Sequence, residues 1–268
     1  MTHSNSDNNH FPAKKDKKEV DLVLFAGQSN MAGRGSAAEA PVVAEGTGYE
    51  FKAISAPTRL YPIVEPFGVE ENNVISGVAE SNKTGSMVSS FVIEYERTTG
   101  TPVVAVSCSK GGSSINLWLP GGAFLNDAID RFQAASDWLG ANGCTVRHAF
   151  MVWCQGETDA ENGMSPAEYT TKLTSVMDAM ICAGMETCYI VGIGRHRDDP
   201  DKFRPIAEAQ IELCITYQHA ALVSTKFADM AARGLMKDAF HYVQQAYNEV
   251  GAEAGANTAV HILGRNVD

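Results

Sequence analysis

The chain of 268 residues carries a formal net charge of −11, and 44% of its residues are hydrophobic. This acidic balance argues against a nucleic-acid partner, because binding phosphates depends on Lys and Arg, and it disfavours strongly anionic polymers as substrates. The hydrophobic content is enough for a sizeable core. No apolar run reaches the roughly 18 residues of a membrane span, so we expect no membrane partner.

Residues 1–19 are polar and rich in lysine, and they lack the apolar stretch of a secretory signal. We interpret them as a disordered N-terminal tail and residues 20–268 as a single domain. The six cysteines contain no C-x-x-C pair, which argues against a structural zinc site of that type. Together these features favour a reduced, cytoplasmic protein.

Along the chain, five short apolar runs have the pattern of buried strands, over residues 21–26, 102–107, 147–153, 188–194 and 221–225. Helices are predicted between and after them, over residues 84–99, 123–141, from Ser165-Pro166 onward, 200–218 and 242–256. This alternation predicts a three-layer α/β/α fold with a five-stranded parallel sheet, in the flavodoxin-like order 2-1-3-4-5. Residues 36–82 show weak periodicity and are interpreted as an insertion in the domain.

The first predicted strand ends in the polar turn Gly27-Gln28-Ser29-Asn30, which presents a serine just beyond a buried run. In open α/β sheets, ligands bind at the carboxyl ends of the strands. Ser29 is therefore a candidate nucleophile. The alternative is that Ser29 only caps the helix that follows, which is a common role of serine.

The second predicted strand is followed by the pair Gly111-Gly112. Two glycines let the backbone approach a ligand closely and point an N–H group at it, as an oxyanion-hole donor does. An ordinary glycine turn would have the same sequence. A phosphate-binding loop is not indicated, because the pattern G-x-x-x-x-G-K-[ST] is absent.

Three polar residues, Gln155, Glu157 and Asp159, follow the third predicted strand. In the order 2-1-3-4-5 the first and third strands are neighbours, so the amide of Gln155 would face Ser29 across the crevice. An alternative is that Gln155 hydrogen-bonds the loop that carries Asp159. Glu157 and Asp159 are candidate acid–base groups, although isolated carboxylates are more often solvated or bound to backbone.

The last motif is Asp238-Ala239-Phe240-His241, just before the final predicted helix. A carboxylate three residues before a histidine can accept the Nδ1–H of the ring, which leaves Nε2 free as a general base. A surface ion pair is the alternative. The serine, the glycine pair, the glutamine and the Asp–His pair all fall at one edge of the predicted sheet, which favours a catalytic site.

These stretches resemble the sequence blocks of SGNH-type hydrolases. The nearer likeness is to the sialate O-acetylesterase-like group that includes carbohydrate esterase family six, the acetylxylan esterases. The likeness runs from about residue 21 to residue 251. The matching stretches are Gly27-Gln28-Ser29-Asn30-Met31-Ala32-Gly33-Arg34-Gly35, Gly111-Gly112-Ser113-Ser114-Ile115 with Trp118, Trp153-Cys154-Gln155-Gly156-Glu157-Thr158-Asp159 and Asp238-Ala239-Phe240-His241.

The resemblance implies a serine esterase that removes acetyl groups from carbohydrate hydroxyls without a metal or cofactor. It implies Ser29 as nucleophile, His241 as base and Asp238 as its orienting acid. It also implies an oxyanion hole made by the N–H groups of Ser29 and Gly112 and the side chain of Gln155. Candidate substrate-binding residues are Gln28, Asn30, Arg34, Trp118 and Glu157.

The expected substrate is a small-molecule or oligosaccharide acetyl ester, and the sequence makes no prediction of oligomeric state. Two alternatives remain open. One is an SGNH esterase, lipase or thioesterase that acts on a non-carbohydrate acyl substrate bound by the insertion. The other is a catalytically silent carbohydrate-binding relative, against which the intact Ser29, Asp238 and His241 set argues.

Overall fold

A computed structural model describes residues 18–265 of the chain. The strands are β1 (Lys18–Gly27), β2 (Gly48–Phe51), β3 (Leu60–Pro62), β4 (Val103–Ser109), β5 (Cys144–Cys154), β6 (Thr187–Val191) and β7 (Ala220–Ser224). The helices are α1 (Ser29–Ala32), α2 (Val88–Thr99), α3 (Ala123–Ala141), α4 (Glu157–Glu161), α5 (Pro166–Cys182), α6 (Arg204–Thr216) and α7 (Gln244–Arg265).

The strands form one sheet in the order β3-β2-β4-β1-β5-β6-β7. The five predicted strands appear as β4-β1-β5-β6-β7, which confirms the expected order 2-1-3-4-5. The predicted number of strands is wrong, because the sheet has seven. The additional strands come from the predicted insertion: β2 pairs parallel with β4, and β3 pairs antiparallel with β2. At four and three residues, they are too short to show a periodic pattern.

Strand β1 lies in the middle of the sheet, and its side chains alternate between two cores. Leu22 and Leu24 pack in the cluster that contains residues of α3, α5 and α6, whereas Val23 and Phe25 pack in the cluster that contains residues of α2 and α7. Each strand residue points to the face opposite its neighbour, and helices cover both faces. This explains why β1 reads as a continuous apolar run, and it confirms the three-layer α/β/α fold.

The N-terminal prediction needs one correction. Lys18 and Glu19, which the sequence assigned to a tail, begin β1, where Lys18 pairs with Cys144 of β5. The rest of the predicted tail lies outside the described residues. In the described part of the chain, no helix combines the length and the apolar character that crossing a membrane requires.

The segment between β3 and α2 is fastened to α3 by a buried arginine. Arg131 is 1% exposed and donates to Asp127 Oδ2 at 3.0 Å. Its remaining donors reach the carbonyls of Ser107, Val78 and Glu71 at 2.8 to 3.0 Å. Arg131, paired with Asp127, therefore holds this segment against the sheet by side-chain hydrogen bonds and not by regular secondary structure.

Arg131→Ala should destabilise the fold strongly. It leaves the buried Asp127 carboxylate unpaired and three carbonyls without their donor, and breaking a buried ion pair costs about 3–5 kcal/mol. Urea unfolding followed by circular dichroism measures this change. Arg97→Ala is the matched control, because the Arg97–Glu94 pair lies on the surface, and it should cost less than about 1 kcal/mol. Equal effects of the two substitutions would contradict the anchoring role.

Candidate active site

The turn after β1 is formed by a glycine that no other residue can replace without strain. Gly27 has a φ of +135°, and a Cβ added there would lie 2.1 Å from the carbonyl oxygen of Cys154 at the end of β5. The next N–H group, that of Gln28, donates to the same carbonyl at 2.9 Å. The chain therefore leaves the sheet sharply, and Ser29 becomes the first residue of α1.

Ser29 lies beside the Asp238–His241 motif, which comes from the other end of the chain. Its Oγ lies 3.0 Å from His241 Nε2, and His241 Nδ1 lies 2.9 Å from Asp238 Oδ2. The carboxylate indicates that Nδ1 carries the proton and that Nε2 is the acceptor for the serine hydroxyl. The N-cap position of α1 is Gln28, and Ser29 is the first residue inside the helix, so the alternative of Ser29 as a simple cap is not what the structure contains.

The Asp238 carboxylate is held in its ionised form by its neighbours. Burial alone would raise its pKa, but hydrogen bonds from Phe240 N–H, the His241 ring and His241 N–H outweigh it, and the pKa lies below its ordinary value. Asp238 Oδ1 accepts both backbone N–H groups at 2.8 Å. These bonds close the loop on itself and fix the imidazole relative to the carboxylate.

A cavity of about 390 Å³ opens at the Ser29–His241 pair. Its lining comes from five parts of the chain: the β1 turn, the end of the segment before α2, the β4 turn, helix α4 and the loop that carries His241. The lining residues are Gln28, Ser29, Arg34, Glu80, Ser81, Asn82, Lys110, Gly111, Gly112, Thr158, Phe240 and His241. Of the predicted substrate-binding residues, Gln28 and Arg34 line this cavity.

Two backbone N–H groups are available beside the serine. Ser29 is the first residue of α1, so its N–H group has no acceptor within the helix. The N–H of Gly112 forms no hydrogen bond with the described residues, and Gly112 has a φ of +69°. Gly111 lies next to Ser29, since a Cβ there would be 3.5 Å from Ser29 Cβ. The glycine turn is thus close enough to Ser29 for the oxyanion hole that the sequence predicts.

Gln155 does not join these donors. The residue is fully buried, and its Nε2 donates to the carbonyl of Ser113 at 3.0 Å and to the carboxylate of Asp159. Its Oε1 accepts the Tyr169 hydroxyl at 3.2 Å. Both N–H groups of the amide are thus committed away from the cavity. The geometry corresponds to the alternative in which Gln155 supports the neighbouring loops.

Three further expectations need correction, because Asn30, Trp118 and Glu157 do not line the cavity. Each is 1% exposed or less. Trp118 lies in the core, where its Nε1 donates to Ser113 Oγ at 3.1 Å. Asn30 Nδ2 donates to Glu157 Oε1 at 2.6 Å. Burial raises the pKa of Glu157 against the effect of that hydrogen bond.

The structure also adds lining residues that the sequence did not single out. Glu80, Ser81 and Asn82 arrive from the segment before α2, and the only available signal was the unusual length of that segment. Lys110 and Phe240 adjoin the motifs that were recognised. Within residues 18–265, no group of three or more His, Cys, Asp or Glu side chains is arranged to hold a metal ion.

Comparison with known proteins gives a family. A family model described as carbohydrate esterase, sialic acid-specific acetylesterase, matches residues 19–259. Among curated proteins, no sequence matches this chain.

Solved structures share the fold. A protein from Arabidopsis thaliana superposes with a TM-score of 0.63 at 18% identity, over 91% of this chain and 98% of that one. NanS superposes with a TM-score of 0.62 at 11% identity, over 94% of this chain and 99% of that one. A carbohydrate acetylesterase from Xanthomonas citri gives a TM-score of 0.55 at 15% identity, over 90% of this chain and 57% of that one.

The family match spans nearly the whole described chain and includes Ser29, Asp238 and His241. Because the identity of these solved structures to the chain is low, they support the fold alone. The family match and the sheet order together confirm the resemblance found in the sequence and the SGNH hydrolase fold that it implies. The chain thus belongs to the family of carbohydrate esterases described as sialic acid-specific acetylesterases, and it is a carboxylic ester hydrolase.

Proposed function

We propose that the protein removes acetyl groups from carbohydrate hydroxyls by a Ser-His-Asp mechanism. The observation that carries the proposal is the hydrogen-bonded chain from Ser29 Oγ through His241 to Asp238 at the base of an open polar cavity. Family membership supports the acetyl ester as the bond that is cleaved.

In the first half-reaction, Ser29 Oγ attacks the carbonyl carbon of the ester while His241 Nε2 takes the hydroxyl proton. Asp238 stays ionised and stabilises the imidazolium that forms, but it does not take up the proton. The tetrahedral intermediate collapses when the C–O bond to the sugar breaks. His241 then protonates the leaving alkoxide, and the acetyl group remains on Ser29.

In the second half-reaction, water enters the cavity and gives a proton to His241 Nε2 as it attacks the acetyl-serine. The second tetrahedral intermediate expels Ser29 Oγ, which recovers its proton from His241. Acetate leaves, and the Ser29–His241 hydrogen bond forms again. The same three side chains serve both steps: Ser29 attacks in the first and leaves in the second, while in each step His241 acts as base and then as acid and Asp238 stays ionised.

In this proposal, the oxyanion of both intermediates accepts hydrogen bonds from the N–H groups of Ser29 and Gly112. Support comes from the lack of other partners for these two groups among residues 18–265 and from the closeness of the glycine turn to Ser29. Gln155 supports the site indirectly, because its amide holds the carbonyl of Ser113, which follows Gly112 directly. This assignment replaces the direct donor role expected from the sequence.

The composition of the cavity favours a small acyl group and a hydroxyl-rich alcohol. Phe240 is the one lining residue with a large apolar side chain, and the other side chains are polar or charged. A long acyl chain would find little apolar surface to bury, whereas a sugar would find donors and acceptors. The amide N–H groups of Gln28 make no hydrogen bond with the described residues and are available to a substrate.

Ser29→Ala should lower kcat on p-nitrophenyl acetate by about 10⁴-fold or more, because it removes the nucleophile. The melting temperature should stay near that of the wild type, since the one side-chain bond of Ser29 within the described part of the chain is that to His241. Ser90→Ala is the control: Ser90 is as buried as Ser29 and also makes one hydrogen bond, but it lies on α2. Ser29→Ala activity within tenfold of the wild type would exclude the mechanism.

Gln155→Ala should lower the free energy of unfolding by about 2–4 kcal/mol, because it leaves several buried polar groups without partners. Its kcat should remain within about tenfold of the wild type. Urea titration and steady-state kinetics on the same sample separate the two effects. A loss of about 10² to 10³ in kcat at unchanged stability would instead indicate that Gln155 binds the oxyanion directly.

A chain-length series of p-nitrophenyl esters should show kcat/KM highest for acetyl and at least about tenfold lower for octanoyl. An apolar acyl site would give the opposite trend, because each buried methylene contributes about 0.8 kcal/mol. A rise in kcat/KM with chain length would favour the lipase or thioesterase alternative. The leaving group is the same throughout, so the series reports on the acyl site alone.

A further inference from the structure

The Gly111–Gly112 turn is held by a carboxylate from a distant part of the chain. Glu80, in the segment between β3 and α2, accepts the N–H of Gly111 on Oε2 at 2.5 Å. The same oxygen accepts Arg34 Nη2 at 3.0 Å, and Oε1 accepts the N–H of Asn82 at 2.7 Å. One buried carboxylate thus joins the β1 turn, the β4 turn and the segment before α2.

A side chain at position 111 would displace this contact. A Cβ added to Gly111 would lie 2.4 Å from Arg34 Nη2 and 2.5 Å from Glu80 Oε2. The Glu80 carboxylate and the Arg34 guanidinium therefore pack directly against the backbone of the glycine turn. Arg34, Glu80 and both glycines line the cavity that contains Ser29.

We propose that Glu80 is a positioning residue of the esterase reaction, which fixes the Gly111–Gly112 peptide so that the N–H of Gly112 is preorganised for the oxyanion. The inference rests on the function proposed above. A donor held in place before the reaction costs no reorganisation when the negative charge develops. The Gly111 N–H is engaged by Glu80, and the Gly112 N–H is left for the substrate.

Arg34 has a matching electrostatic role. A bare carboxylate beside the oxyanion would oppose the charge that develops there, and the guanidinium at 3.0 Å offsets that repulsion. Burial opposes ionisation of Glu80, but the N–H groups of Asn82 and Gly111 and the Arg34 guanidinium outweigh it and hold its pKa below the ordinary range. Glu80 is therefore an anion at neutral pH, paired within the protein.

Glu80 does not itself bind substrate. Its side chain is 2% exposed, and protein donors satisfy both oxygens. Its own N–H donates to Asn72 Oδ1 at 2.7 Å, which ties it into the segment fastened by Arg131. The segment between β3 and α2 thereby acts on catalysis through the shape of the glycine turn.

The test compares Glu80→Ala and Glu80→Gln with the wild type. The substrate is p-nitrophenyl acetate, and the probe is 1,1,1-trifluoroacetone, whose hemiketal with a serine mimics the tetrahedral intermediate. Glu80→Ala should lower kcat by about 10- to 100-fold and weaken inhibition by trifluoroacetone by the same factor, with KM within about threefold. Glu80→Gln keeps an oxygen that accepts the Gly111 N–H, so its kcat should stay within about fivefold of the wild type.

Glu71→Ala is the matched control. Glu71 is an equally buried carboxylate of the same segment, and it accepts the N–H groups of Ile54 and Ser55 away from the cavity. Its loss should lower the melting temperature and leave kcat and trifluoroacetone affinity unchanged. If Glu80→Ala does not fold, Glu80→Asp retains the charge but withdraws the oxygen by one methylene, and it should show the same loss of kcat.

Wild-type kcat and wild-type trifluoroacetone affinity in folded Glu80→Ala, beside an inactive Ser29→Ala, would overturn this inference and leave the proposed function standing. A parallel fall in Glu71→Ala and Glu80→Ala would also overturn it, because the effect would then be one of general stability. An active Ser29→Ala would instead remove the proposed function and this inference together.

Discussion

The active site depends on the close approach of two strand ends at the centre of the sheet. Gly27 at the end of β1 comes so near the Cys154 carbonyl of β5 that no side chain fits between them, and its φ of +135° excludes other residues. The hydrogen bond from Gln28 N–H to the same carbonyl holds the turn. Because both strands lie between packed helical layers, the position of Ser29 follows from the sheet and not from a free loop.

Buried polar contacts bring the other loops to that fixed point. The side-chain amide of Asn30 donates to Glu157 Oε1 at 2.6 Å and to the carbonyl of Phe240 at 3.2 Å, and it accepts the Tyr247 hydroxyl at 2.7 Å. The residue after Ser29 thereby orients the loop that carries His241. Glu80 does the same for the glycine turn. Charged and amide groups hidden from solvent thus determine where Ser29, His241 and the glycine turn stand.

Features that depend on local chain chemistry could be predicted from the sequence. The apolar run of β1, the serine after it and the Asp238–His241 spacing are such features, because strand burial and a three-residue turn are local properties. Features that depend on packing could not be predicted. Strands β2 and β3 are too short for a pattern. Of the partners of Gln155, Asp159 is near in the sequence and is an expected alternative, whereas Ser113 is brought near only by the fold.

The central claim is that these constraints make Ser29 the single nucleophile, and covalent labelling tests it most directly. The wild-type protein is treated with a fluorophosphonate and digested, and the modified peptide is identified by mass spectrometry. The account predicts one adduct per chain, on Ser29, that forms in step with the loss of esterase activity and forms far more slowly in His241→Ala. An adduct on another residue that accompanies inactivation, or full labelling with activity retained, would contradict it.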